Sequence, residues 1–365
     1  MNRREFISLT AAAGAAALLP VRAAADPGDR PRPQPKIPRW RGFNLTEMAG
    51  QQARPYVETD FQWMQEWGFN FARLPLSYWA WSSPKDWLTI HEDSLRPLDQ
   101  ALEYGQKYGI HLCMGFHRIP GYCVNGGDLE PYQLLSGPAD SMQKALDAAS
   151  HHWRYFARRF KDVPSSRLSF DLLNEPPFSP DQTRYTEVCK ALIAAIRQES
   201  PDRLIFANGA DLGQSPVLGL IDEGIVQSSH DYQPKMISHY KANWVPAAEF
   251  ESLATPTWPM VDKHGVLWDK AKLRIEDIDK WKPLTDVGAP VHVGEWGCFV
   301  HTPHEVCVAY MADEVSLWKE AGWGWSMWNL RGGFGVVDSM RADVQYEDFR
   351  GHKLDRKMLE VIRAG

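Results

Sequence analysis

The strongest constraint on this chain is an alternation. Short runs that read as buried strands recur at Arg41–Leu45, Phe69–Leu74, Ile110–Phe116, Leu168–Leu173, Leu204–Ala207, Ile225–His230, Val291–Gly294 and Gly324–Trp328. Between them apolar residues recur at helical spacing, over Glu58–Trp67, Ser94–Tyr108, Asp140–Phe160, Asp181–Glu199, Lys270–Trp281 and His304–Ala321. The segment Gly213–Glu223 is shorter, and a closing helix is expected near Arg356–Arg363. Apolar strands that alternate with helices belong to parallel sheets covered on both faces. Eight such units within 365 residues predict a single-domain (β/α)8 TIM barrel. A doubly wound sheet usually has fewer strands and a glycine-rich phosphate turn, and the chain has neither GxGxxG nor a Walker loop.

The ends of the chain read differently from its middle. Arg3-Arg4 precede an apolar run from Ile7 to Leu19, Pro20 ends that run, and Ala23-Ala24-Ala25 offer small residues to a signal peptidase. Residues 1–25 are therefore expected to be a twin-arginine-type signal peptide, which implies a periplasmic or secreted protein. The run is too short to span a bilayer, so no stable membrane anchor is expected. Residues 26–38 read as a Pro-rich spacer, leaving 39–365 as the catalytic barrel. The formal charge of −6 carries no basic footprint for nucleic acid. The five cysteines (113, 123, 189, 298 and 307) show no CxxC and no zinc spacing. Cys298 with Cys307, or Cys113 with Cys123, could close short loops; buried free thiols are the blander alternative.

In such a barrel the chemistry sits at the C-terminal ends of the strands. Six of those ends finish in polar or aromatic groups: Arg73, His117, Asn174 with Glu175, His230 with Tyr232, Glu295, and Trp328. Buried polar groups cost free energy unless paired, so the set points to a site. Glu175 ends the fourth strand region and Glu295 the seventh, across the mouth from each other. Two carboxyl groups over one cavity suit glycoside hydrolysis, one giving a proton to the leaving oxygen and the other attacking the anomeric carbon. Their mutual charge is expected to split their pKa values.

The motifs then fall in a familiar order. Phe71-Ala72-Arg73-Leu74-Pro75, Gly115-Phe116-His117, Asn174-Glu175-Pro176, His230-Asp231-Tyr232, Gly294-Glu295-Trp296-Gly297 and Trp325-Ser326-Met327-Trp328 resemble the successive motifs of glycoside hydrolase family 5, the cellulase family. The likeness spans about Trp40 to the C-terminus. It implies Glu175 as acid/base, Glu295 as nucleophile and retention of configuration. It gives supporting or sugar-binding places to Arg73, His117, Asn174, His230, Tyr232 and Trp328. The chain departs at His117-Arg118, where many members carry His-His, and the loop that follows bears on substrate subclass.

Sixteen tryptophans are many for 365 residues. Trp63, Trp67, Trp153 and Trp318 sit at helical spacing and read as core. Trp79 and Trp81 after the second strand, and Trp244, Trp258 and Trp268 in a later connection, are candidates for sugar platforms, with packing the equal alternative; two connections, Arg118–Ala139 and Gln233–Asp269, are long enough to wall a cleft. His301 and His304 lack a third ligand nearby, so no metal is expected, and the chemistry calls for no cofactor. The reading is a monomeric, secreted retaining β-glycosidase acting on polysaccharide or oligosaccharide, with endo-β-1,4-glucanase the first expectation. β-Mannanase, exo-β-1,3-glucanase and β-glucosidase share the machinery, and a non-catalytic carbohydrate-binding barrel is the rival from another class.

Overall fold

A computed structural model describes residues 31–125, 129–246, 250 and 255–365. The expected signal peptide and residues 26–30 of the spacer lie outside the described residues. Eight parallel strands close on themselves: β1 (Arg41–Asn44), β2 (Phe71–Ser77), β3 (His111–Ile119), β4 (Leu168–Asp171), β5 (Leu204–Asn208), β6 (Val226–Asp231), β7 (Val291–Trp296) and β8 (Gly324–Met327). Each pairs with the next, and β1 also pairs with β8, Gly42 opposite both Phe71 and Ser326. This is the (β/α)8 barrel.

The expected helices surround it: α1 (Glu58–Glu66), α2 (Arg96–Tyr108), α3 (Ala139–Arg159), α4 (Thr183–Glu199), α5 (His304–Ala321) and α6 (Arg356–Ala364). Between β6 and β7 the helical stretch Lys270–Thr285 is composite, passing from α to π to 3-10 and back. The uncertain segment after β5 is a 3-10 turn, Leu218–Glu223. Residues 31–38 run under the base of the barrel, where Arg32 N donates to Asp222 O at 2.9 Å and the Gln34 side chain donates to Ile221 O at 2.7 Å.

The barrel floor is aromatic. Trp40 stacks on His111 at 3.8 Å and on Phe71 at 5.6 Å, and Phe71 meets His292 at 4.6 Å. Burial holds both histidines neutral, lowering His111 to about 4 and His292 to about 3. The floor is thus a packed layer, as a barrel core requires, and polarity is reserved for the other end. Trp63, Trp67, Trp153 and Trp318 are buried in the core, as their spacing predicts. Of the two alternatives for Trp81 the fold takes packing: it is 1% exposed, with its indole N–H on His152 Nδ1 at 3.1 Å. All five cysteines are buried and free.

Two breaks in register sit beneath the mouth. Between β2 and β3 the pairing passes from Leu76–Phe116 to Ser77–Arg118, so His117 is the extra residue. Between β6 and β7 it passes from Ser229–Val293 to His230–Glu295, so Gly294 is extra. A bulge re-aims the side chains beside it. Position 294 also tolerates no side chain, since a Cβ there would lie 2.2 Å from Ser228 Oγ.

Candidate active site

Every residue singled out from the strand ends reaches one mouth. At its centre the Arg73 guanidinium, 2% exposed, makes four hydrogen bonds: Nε to Asp171 Oδ2 (2.9 Å), one terminal nitrogen to Asn44 Oδ1 (3.0 Å) and Glu295 Oε1 (2.6 Å), the other to Asn174 Oδ1 (2.8 Å). Burial alone would ease its proton off. Asp171 and Glu295 outweigh that and raise its pKa, so the cation is permanent. Arginine's fixed fork suits this task, because one planar group orients several acceptors at once.

Glu295 gains a second donor from the Tyr232 hydroxyl, 3.2 Å from Oε2. Burial and the neighbouring carboxylates raise the Tyr232 pKa, which keeps that proton on the phenol. Glu175 is placed through its backbone. Its φ of 47° is left-handed, a conformation that costs a non-glycine residue about 1–2 kcal/mol. Its N–H donates to Asn208 Oδ1 at 2.9 Å, and its carbonyl accepts the Tyr122 hydroxyl at 2.5 Å. Asn208 is fixed in turn by donating to Asp171 Oδ1 at 2.9 Å.

The two carboxyl groups share His230. Its Nδ1 lies 2.9 Å from Glu175 Oε1 and 3.8 Å from Glu295 Oε2. One oxygen of each glutamate and a His230 ring nitrogen all lie within 4.8 Å of one another. Burial pushes the Glu175 carboxyl up, but the hydrogen bond and charge of His230 outweigh it, and the net shift is downward. Burial lowers His230, yet Glu295 and Glu175 together raise it. The carboxyl expected to hold a proton is therefore shifted down, toward its charged form, and the upward shift falls on His230 instead.

Trp328 and His117 stack at 5.5 Å and 21° and complete the floor. Burial lowers His117, so it is neutral. Asn174 Nδ2 and His117 Nδ1 are buried and find no hydrogen-bond acceptor among the described residues. The cavity above holds about 390 Å³ and is lined by Glu175, Glu295, His117, Tyr232, Trp328 and the 233–246 loop. Sequence reasoning missed Asn44, Asp171, Asn208 and Tyr122. Asn44 and Asn208 end β1 and β5, the two strand ends left out of the sequence-derived set below the eighth, and Asp171 is a charge inside an apolar strand.

Comparison with known proteins fits this geometry. The profile of the cellulase family, glycosyl hydrolase family 5, matches residues 32–333. The chain belongs to glycosyl hydrolase family 5. As a member it is an O-glycosyl hydrolase. It is 26% identical over 302 residues to endoglucanase C of Acetivibrio thermocellus, covering 75% of this chain and 84% of that one. It is 34% identical over 126 residues to glucan 1,3-beta-glucosidase 2 of Wickerhamomyces anomalus, 33% of this chain and 28% of that one. A solved structure described as a glycoside hydrolase superposes with a TM-score of 0.83 at 33% identity, covering 89% of this chain and 99% of that one.

The guanidinium is the keystone of this family 5 site. Removing one partner of a buried ion pair typically costs about 3–5 kcal/mol, because the other charge is left unpaired. Arg73→Met strands two carboxylates, Asp171 and Glu295. Urea denaturation is expected to show a loss of that size at neutral pH, with part of it recovered when Asp171→Asn is added, since Glu295 is still unpaired.

Proposed function

We propose that this chain is an exported retaining β-glucan hydrolase that cuts β-1,4-linked glucan at internal bonds. Glu175 acts as acid/base and Glu295 as nucleophile. The observation that carries the reading is the pair of carboxyl groups approaching within 4.8 Å around His230. Retaining enzymes hold their carboxyl groups about 5–5.5 Å apart, whereas inverting ones leave about 6.5–9.5 Å for a water. The endoglucanase relative, matched over most of its length, favours an endo-acting glucanase over the 1,3-beta-glucosidase of the shorter match. A barrel that merely bound sugar would have no use for a proton-holding pair. The twin arginines and apolar run at the N-terminus favour export, and no helix among the described residues is long and apolar enough to cross a membrane.

The residues divide the work as follows. Arg73 and Tyr232 hold the Glu295 carboxylate and aim it at the anomeric carbon of a sugar resting on Trp328. As that carbon–oxygen bond breaks, Glu175 gives its proton to the departing oxygen, and a glycosyl ester forms on Glu295. Water then attacks the ester; Glu175 takes a proton from it, and Glu295 leaves as the carboxylate. Asn174 Nδ2 is the donor suited to the sugar 2-hydroxyl, a contact that strengthens in the transition state. His230 is a positioning residue that stores the proton. A sugar that displaces water raises the cost of charge on Glu175, which draws the proton from the imidazole onto the carboxyl.

Glu295→Gln is expected to lower kcat on soluble β-1,4-glucan about a thousandfold or more, and Glu175→Gln about 10²–10⁴-fold. Reducing-sugar release is the readout, and near-full activity in either variant would refute the assignment. The proton store also sets a pH limit. His230 is raised above its ordinary value of about 6.5, so the pair keeps its proton up to that region and loses it as pH rises through it. The basic limb of kcat/KM is accordingly expected above pH ~6.5. In His230→Asn the carboxyl must hold the proton alone, and the limb moves toward acid.

A further inference from the structure

Glu175 sits in a conformation that its own sequence opposes. A φ of 47° is left-handed, and Pro176, the next residue, biases position 175 toward extended backbone. The surrounding structure must therefore fix it. Its N–H is taken by Asn208 at the end of β5, part of the barrel wall. Its carbonyl is taken by the Tyr122 hydroxyl, from outside the eight barrel strands. Burial and the nearby Glu175 charge raise the Tyr122 pKa, so the phenol keeps the proton it donates.

Tyr122 arrives on a hairpin. After β3 the chain turns back as a two-residue strand, Tyr122–Cys123, with Ile119 opposite Tyr122 and Arg118 opposite Cys123. Pro120 and Gly121 make the turn. Gly121 has a φ of 83°, and a Cβ there would lie 2.6 Å from the Ala145 Cβ on α3, so only glycine fits. Ile119, Tyr122 and Cys123 are buried, and the Gly121 carbonyl accepts the Leu134 N–H at 2.9 Å. The hairpin is packed down onto the barrel rather than hung in solvent.

Its anchor is Glu130, whose side chain is wholly buried. One carboxylate oxygen accepts from Arg118 Nη1 at 3.2 Å; the other accepts the Tyr78 hydroxyl at 2.6 Å and the Gly121 N–H at 3.3 Å. Arg118 also donates to Asn125 O at 3.0 Å and lies 3.9 Å from the Trp79 ring centroid. The exit of β2, the end of β3 and the hairpin turn therefore meet on one carboxylate. A buried carboxylate needs a cation beside it. Arg118, the point at which this chain departs from the family's His-His, supplies a charge that is always present.

Resting on the assignment of Glu175 as acid/base above, we propose that this hairpin is a positioning arm for acid catalysis. Tyr122 holds the main chain of Glu175, and the Arg118–Glu130 pair holds Tyr122 in place. The arm matters only where Glu175 moves a proton, since Glu295 is held separately by Arg73 and Tyr232. The test compares two substrates of the full-length enzyme. Cellotetraose has a departing sugar that needs a proton; dinitrophenyl β-cellobioside has a phenolate that leaves without one. Tyr122→Phe is expected to lose about tenfold in kcat/KM on cellotetraose and less than about twofold on the aryl substrate. Glu130→Gln, which keeps the side chain's shape, should show the same split. Equal losses on the two substrates, or no loss on either, would overturn the proposal. Wild-type activity on cellotetraose in Glu130→Gln would overturn the anchor. Should Glu175→Gln itself lose equally on both substrates, the acid/base assignment falls and takes the proposal with it.

Discussion

The site depends on one buried cation. Arg73 sits between Asp171 and Glu295, all three almost solvent-free. Two carboxylates beside one guanidinium leave an excess of negative charge in a poorly screened interior, where such charge is costly unless hydrogen-bonded. The surplus is met by neutral donors: Asn208 on Asp171 and Tyr232 on Glu295. His230 Nδ1, 2.9 Å from Glu175 Oε1, adds a further polar contact to the second glutamate. These groups lie in or just after five strands (β2, β4, β5, β6 and β7), so the charge balance exists only once the barrel has closed. Fold and chemistry are linked through that closure.

The backbone yields where the chemistry needs it to. The bulges at His117 and Gly294 and the left-handed φ at Glu175 all lie within the mouth. Such irregularities persist only where the surroundings over-determine them. Here Asn208 and Tyr122 grip the peptide of Glu175 from both sides, and the narrow gap at Gly294 seats β7 against Ser228 and His230. The aromatic floor of Trp40, Phe71, His111 and His292 supplies the rigid base against which this strain is held.

Much of this was legible in the chain, and the reasons are physical. Strand–helix alternation marks a closed parallel barrel because only covered sheets support continuous apolar strands, and the expected α5, His304–Ala321, matches to the residue. Glu175, Glu295, Arg73 and Tyr232 were visible because polar groups at apolar strand ends need a reason. Tyr122 was not, since its role depends on a loop returning over the mouth. Nor was the downward shift of Glu175 beside a raised His230, because that balance is set by distances between residues 55 apart in sequence. The tryptophans after β2 fit sugar platforms and packing equally well until the fold laid the Arg118 guanidinium 3.9 Å from the Trp79 ring and buried Trp81. Sequence spacing records which residues share a strand end but not what a neighbouring loop lays across them.

The central claim is that two carboxyl groups act in successive displacements from opposite faces of one anomeric carbon. Proton NMR of the anomeric signals during the first minutes of hydrolysis tests it most directly. The account predicts that the β-anomer appears first and the α-anomer only later by mutarotation. Initial release of the α-anomer would contradict it, whatever the rate.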